Sequence, residues 1–78
     1  MKILLFGIAK QLFGADTLKL KNGEATSVKQ LRQILEFQNP QLKELRSYMV
    51  AVNKSYAEDD MELKGSDEIA IIPPVSGG

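Results

Sequence analysis

In SVKQLRQILEFQ, residues 27–38, Val28, Leu31, Ile34 and Leu35 recur at helical spacing and form one apolar stripe. Lys29, Arg32, Gln33 and Glu36 take the other side. Ser27 and Gln30 fit the S-x-x-Q capping box, in which each side chain satisfies an otherwise unpaired backbone N–H of the first turn. Pro40 disfavours helical geometry at Asn39, so the pattern predicts a long helix ending around Phe37–Gln38. Asn39-Pro40 then suits the N-cap and first position of a second short helix carrying Leu42 and Leu45.

The segments on either side of this helix read as strands. Upstream, KILLFG (Lys2–Gly7) is a short apolar run ending in Gly, and Ile8–Phe13 has room for a turn of helix before Gly14 stops it. TLKLK (Thr17–Lys21) alternates, with Leu18 and Leu20 on one face, and Asn22-Gly23 supplies a turn. Downstream, YMVAVN (Tyr48–Asn53) is a third strand, which Asn53-Lys54-Ser55 turns back through Tyr56. Glu58–Leu63 reads as a solvated acidic loop, and Asp59, Asp60 and Glu62 lack the spacing of a calcium loop. Gly65-Ser66-Asp67 leads into the last strand, EIAII (Glu68–Ile72), and Pro73-Pro74 ends strand pairing because proline has no N–H to donate. The order β-β-α-β-(β)-β favours an α+β roll, one mixed sheet packed on one long helix.

Composition narrows the function. At 78 residues the chain has room for one domain. Ten Lys plus Arg balance ten Asp plus Glu, so no overall field draws it to nucleic acid or an anionic membrane. The chain contains no Cys, His or Trp. That excludes disulfides, thiolate nucleophiles, Cys/His zinc sites and histidine acid–base catalysis within it, and shifts the expectation toward a binding or carrier role. The apolar run Ile3–Ala9 makes a poor signal peptide, since it ends at Lys10 with no small-residue cleavage site after it, and reads as a buried first strand. No stretch reaches the ~20 apolar residues of a membrane span, and a cytoplasmic protein is expected.

The strands are apolar on both faces. Ile3 and Leu5 alternate with Leu4 and Phe6, and Ile69 and Ile71 with Ala70 and Ile72. One long helix covers one face of such a sheet. Either the segments around Leu12, Phe13, Leu42 and Leu45 fold over the other face, or that face docks another protein. Alternation does not say which set faces out.

After Glu68 there is no charged side chain, and the chain ends PPVSGG, Pro73–Gly78. At ~7% glycine usage, a Gly-Gly ending arises by chance about once in 200 chains. Two prolines stiffen the exit from the sheet, and two glycines without Cβ suit a channel that rejects side chains. What arrives at a reactive centre is the carboxylate of Gly78, a poor electrophile that must first be activated, most simply as an acyl-phosphate anhydride made with ATP. The sequence has neither G-x-x-x-x-G-K-[ST] nor G-x-G-x-x-G, so activation falls to a separate protein. With no Cys, any sulfur carried must be installed at the Gly78 carbonyl carbon.

PPVSGG preceded by DEIAII (Asp67–Ile72), AVN at Ala51–Asn53, SVKQLR at Ser27–Arg32 and the opening strand with Phe6 resemble the family of small, sulfur-carrier subunits of molybdopterin synthase, over essentially the whole chain. The resemblance implies a ubiquitin-like β-grasp domain over residues 1–72 and a protruding, flexible Gly-Gly tail over 73–78. It implies that Gly78 is adenylated by an ATP-dependent adenylyltransferase/sulfurylase and converted to a thiocarboxylate. The sulfur would then pass to cyclic pyranopterin monophosphate inside the large catalytic subunit, building the dithiolene of molybdopterin in molybdenum cofactor biosynthesis. Two carriers would flank a dimer of large subunits as a heterotetramer. The tail residues Pro73, Pro74, Val75, Ser76 and Gly77 would thread the partner's channel, and Phe6, Tyr56 and Ile72 match the outer-face positions that dock. The chain would be a non-catalytic sulfur donor that binds no metal and no cofactor, ATP being used by the activating partner. It departs from the family pattern at Lys10-Gln11, where an Arg-Glu pair is common, and at Gly65-Ser66-Asp67-Glu68, where Asp-Gly-Asp-Glu is common; a lysine does not reproduce arginine's bidentate geometry. Three alternatives stand beside this reading. They are a carrier for another product (thiamine thiazole or tRNA thiolation), a ubiquitin-like protein modifier, and a plain interaction module.

Overall fold

The apolar stripe of the long helix finds its partner in a five-stranded mixed sheet. A computed structural model describes residues 1–21, 23–45 and 47–74. In chain order the elements are β1 (Lys2–Leu5), α1 (Gly7–Phe13), β2 (Thr17–Lys19), α2 (Val28–Gln38), α3 (Gln41–Glu44), β3 (Met49–Val52), β4 (Ser55–Ala57) and β5 (Glu68–Ile72). The strands lie in the order β2-β1-β5-β3-β4. The central pair β1 and β5 is parallel, and the other pairings are antiparallel. This is the α+β roll expected from the pattern.

Ser27 caps α2 as read from the sequence, its Oγ accepting from the Gln30 N–H at 3.2 Å. The reciprocal half of the box differs. Gln30 Oε1 accepts from the Thr26 N–H at 2.9 Å and from the Thr26 hydroxyl at 2.8 Å, one residue earlier than expected. Ser27 is instead held in extended backbone, bridged to Glu62 in the 58–63 loop. The helix ends at Gln38, ahead of Pro40. Asn39 does two jobs there: its Oδ1 accepts from the Gln41 N–H at 3.2 Å, and its Nδ2 donates to the Leu12 carbonyl at 2.6 Å, tying α1 to the α2–α3 corner. The turn of helix after β1 is a complete short helix, stopped as expected at Gly14, whose φ of 67° is left-handed.

Ile3, Leu5, Val50, Val52, Ile69 and Ile71 point from the sheet onto Val28, Leu31 and Leu35 of α2, and all are buried. Leu18 and Leu20 join this core, as their shared face predicted. So do Leu42 and, more peripherally, Leu12, Phe13 and Leu45. The first of the two readings of the sheet's second face is thereby corrected. The short helices extend the α2 layer instead of crossing to the far side, because α1 and α3 are short elements bound to the same corner by Asn39. At the other margin of α2, the buried Tyr48 hydroxyl donates to Glu36 Oε2 at 2.5 Å, and the Arg32 guanidinium lies 4.5 Å from the Tyr48 ring centre. Burial, then the Glu36 carboxylate, pushes the Tyr48 hydroxyl well above its ordinary range. Arg32 Nε also pairs with Asp59 Oδ1 at 2.9 Å, an ion pair without hydrogen-bond alignment.

Candidate functional site

The face of the sheet turned away from α2 carries the candidate site. Pairing fixes one row across it: Leu4 beside Ala70, Ala70 beside Ala51, Ala51 beside Tyr56. Two of these four are alanines, so the row is a shallow floor. Phe6 and Ile72 close one side of the depression, and among the described residues Lys54 and Glu68 bring the charges that line it. Phe6 is 48% exposed and Tyr56 64%, high values for aromatic side chains with an apolar floor between them. The three residues expected to dock, Phe6, Tyr56 and Ile72, therefore line a single depression.

The pairing also sets what surrounds the chain's exit. Because β1 runs parallel to β5 with Leu5 beside Ile71, the next residues, Phe6 and Gly7, fall level with Ile72 and Pro73. On the other side β3 places Met49 beside Ile72. Pro73 is half-buried and Pro74 exposed. The apolar depression and the root of the tail are thus one continuous surface, with Phe6 and Ile72 in both. Val75, Ser76, Gly77 and Gly78, the remaining expected site residues, lie outside the described residues, as does the Asn22 half of the expected Asn22-Gly23 turn.

The far end of the sheet is built differently. Asn53 and Lys54 take positive φ, 52° and 71°, and make the tight primed turn between β3 and β4. The Asn53 side chain then continues the ladder beyond β3: Oδ1 accepts from the Glu68 N–H at 3.0 Å and Nδ2 donates to Asp67 Oδ1 at 2.9 Å. Asp67 Oδ2 accepts from the Lys64 N–H at 2.8 Å. These bonds, that from Lys64 foremost, hold the Asp67 carboxyl below its ordinary value. The AVN and DE fragments of the sequence are therefore one hydrogen-bonded lock that starts β5 in register.

Sequence reading missed Leu4, Ala51, Ala70, Met49 and Gly7 as parts of this surface. Their alternation was visible, but the β1–β5 and β3–β5 pairings that bring them together join residues far apart in the chain. Lys10, at the position where the family commonly has arginine, pairs within its own chain with Asp16 at 2.9 Å, both side chains mostly exposed. Among the described residues no group of three or more acidic side chains is placed to hold a metal ion, and no helix is long and apolar enough to cross a membrane.

Residues 3–78 match the ThiS family. A molybdopterin synthase sulfur carrier subunit from Dictyostelium discoideum is 40% identical, over 99% of this chain and 94% of that protein. Among solved structures, small archaeal modifier protein 1 from Methanosarcina acetivorans superposes with a TM-score of 0.82 at 27% identity, covering 99% of this chain and 94% of that one. A protein–protein complex of subunits 1 and 2 of the molybdopterin-converting factor from Helicobacter pylori contains a chain that superposes with a TM-score of 0.68 at 30% identity, covering 99% of this chain and 96% of that one.

Proposed function

The chain belongs to the ThiS family and has the ubiquitin-like β-grasp fold, and from this we propose that it is the sulfur-carrier subunit of a molybdopterin synthase. The observation that carries the reading is the full-length likeness to sulfur carrier subunits, joined to a surface on which an exposed apolar depression runs into the root of the Gly-Gly tail.

Gly78 is the working end. Its carboxylate attacks the α-phosphorus of ATP on a separate adenylyltransferase, forming the acyl-adenylate and releasing pyrophosphate. A sulfur nucleophile then displaces AMP and leaves the C-terminal thiocarboxylate. The thiocarboxylate is ionised at neutral pH and nucleophilic at sulfur, so its sulfur bonds to a carbon of a cyclic pyranopterin monophosphate held by the large subunit, and water then cleaves the resulting thioester, leaving the sulfur on the pterin and Gly78 as a carboxylate. Acids, bases and phosphate binders belong to the partners, in keeping with a chain that has no His and no Cys. The large subunit docks on Phe6, Tyr56 and Ile72 while Pro73–Gly77 thread its channel, two carriers flanking a large-subunit dimer. The complex of the two Helicobacter pylori subunits supports a pairing of this kind.

Intact-mass measurement of the chain made in a cell with its own sulfur pathway tests the reading. We expect a species with one oxygen replaced by sulfur, localised to Gly78. Deleting Gly78 abolishes sulfur transfer and leaves the melting temperature nearly unchanged. A deletant that still supports pterin sulfuration overturns the proposal. The likeness to a small archaeal modifier protein favours a second reading, in which Gly78 is joined to lysines of other proteins. Recovery of the chain covalently attached to other proteins under denaturing conditions identifies that case.

A further inference from the structure

The formal net charge of zero hides a division between two parts of the surface. Glu58, Asp59, Asp60 and Glu62 crowd one loop, and the fold accounts for them there. Carbonyls of that loop accept from the first N–H groups of α2, Met61 from Val28 and Asp59 from Lys29, both at 3.0 Å. The Asp59 carboxylate also pairs with Arg32, and negative charge is favourable at this positive end of a helix. The far end of the sheet's outer face has no such account. Side chains two apart in a strand share a face, so Lys2 stands with Leu4, Lys19 with Thr17 and Glu68 with Ala70. Pairing sets them in one row, Lys19 beside Lys2 and Lys2 beside Glu68, and Lys54 lines the depression nearby. Lys2 and Lys19 are directly opposite, an arrangement of like charges that destabilises a sheet. Among the described residues, ion pairs are formed by Lys10 with Asp16 and by Arg32 with Asp59, and by none of these three lysines.

We propose that this row is the electrostatic half of the docking surface and takes an Asp- or Glu-bearing segment of the large subunit. This rests on the reading that the large subunit docks on the outer face. The surface is continuous, since Lys54 and Glu68 line the apolar depression and Leu4 separates Phe6 from Lys2 along one face of β1. A floor of Leu4, Ala70 and Ala51 is shallow and gives a partner few features that fix its orientation. Charge gathered at one end supplies a direction: apolar contacts at Phe6 and Ile72, carboxylates at Lys19, Lys2 and Lys54. Charge complementarity of this kind raises the encounter rate and suppresses wrong orientations more than it adds affinity. Glu68 stands inside the row. It suits a peptide segment of mixed charge and repels a uniformly anionic phosphate backbone.

The test follows association with the large subunit of the same organism by stopped flow, at low and high salt. Wild type is compared with Lys2→Glu plus Lys19→Glu, Lys2→Gln plus Lys19→Gln, and Lys29→Glu plus Lys43→Glu. Lys29 and Lys43 are exposed on α2 and α3, in the layer on the other side of the sheet. Each reversal changes the charge by two, so both Glu pairs take the formal net charge from 0 to −4 and differ only in place. At low salt kon should fall at least about 10-fold in the outer-face reversal and stay within about 3-fold of wild type in the helix-side reversal. The glutamine pair, which sets no new carboxylate beside Glu68, should lose about half as much on a logarithmic scale. At about 0.5 M salt, with a Debye length of roughly 4 Å, the differences should shrink to about 3-fold or less. Zero-length coupling gives a second readout. A carbodiimide adds to a carboxyl group of the complex, a lysine amine attacks the activated carbonyl, and the urea leaves as the amide forms. Mass spectrometry should find Lys2, Lys19 or Lys54 joined to Asp or Glu of the large subunit. Equal losses in the two reversed pairs reduce the effect to net charge and overturn the inference, as do an unchanged kon in the outer-face pair or cross-links confined to other lysines. Phe6→Ala separates two failures. If it weakens binding while the outer-face reversal does not, the inference alone falls; if wild type does not bind the large subunit, the carrier reading falls with it.

Discussion

The two faces of the sheet are written by alternate residues of the same strands, yet they follow different rules. On the inner face Ile3, Leu5, Ile69 and Ile71 are large, branched and nearly inaccessible, each packed against α2 or its flanking helices. On the outer face Leu4, Ala70 and Ala51 make a shallow floor, and the large side chains, Phe6 and Tyr56, stand exposed at its edge. Folding accounts for the first set, because burying those side chains offsets the conformational entropy of a small domain. It does not account for the second, since an exposed aromatic adds little to the isolated chain. The contrast is that of a core with the docking surface proposed above, and it can be tested by substitution on each side.

The largest separation is expected between Leu31→Ala or Ile69→Ala and the outer-face variants. Each inner substitution leaves a cavity and should cost about 2–5 kcal/mol, a large part of what holds a domain this size together. Phe6→Ala and Tyr56→Ala should move the melting temperature little and weaken binding to the large subunit about 10-fold or more each, as exposed aromatic anchors do. Calorimetric unfolding beside titration of the two subunits measures both quantities. An outer-face variant that unfolds the domain while leaving affinity intact would break the distinction.

That distinction was only half legible in the sequence. The helix 27–38, its Ser27 cap, its stop before Pro40 and the entry into β5 depend on neighbours within a few residues, and they were read almost as they stand. Both alternating sets were visible as well, and the motif fragments marked the tail. What local pattern could not supply is pairing. Leu4 meets Ala70 through a parallel ladder between the first and last strands, and the close approach of Gly7 to Pro73 follows from that ladder. The displaced half of the capping box has the same origin. Gln30 turns to Thr26 in a structure where Ser27 is bridged to Glu62, a residue 35 positions away in sequence.

An effect of intermediate size concerns acid. Asp67 has its pKa lowered in the folded chain by the Lys64 N–H and the Asn53 amide, so the unfolded chain binds its proton more tightly. The stabilisation from this group is complete above the ordinary carboxyl value of 3.8 and is lost as pH falls below it through the folded value. Asp67→Asn removes the charge and leaves one acceptor oxygen for the two donors, the Lys64 N–H and the Asn53 amide. The stability gap between wild type and this variant, followed by denaturant unfolding, should hold constant from pH 7 to about 5 and narrow below the ordinary value. A gap independent of pH would show that the lock owes nothing to the charge.

Lys54 offers the smallest effect and the sharpest test of whether the faces are independent, because it belongs to both descriptions. Its backbone sits at φ 71°, where a residue with a Cβ is strained by roughly 1–2 kcal/mol, and its side chain lines the outer depression. Lys54→Gly relieves the strain and adds about 0.5–1 kcal/mol of unfolded-chain entropy, for a net gain in stability of about 0.5 kcal/mol. If the outer face is built for a partner, that gain should come with weaker binding to the large subunit, since a charge and an aliphatic stem are lost beside Tyr56. Falling stability would mean that the Lys54 stem packs well enough on the depression to outweigh its strained backbone. The outer face would then contribute to the fold of the free chain, and exposure alone would no longer mark it as a place where another protein sits.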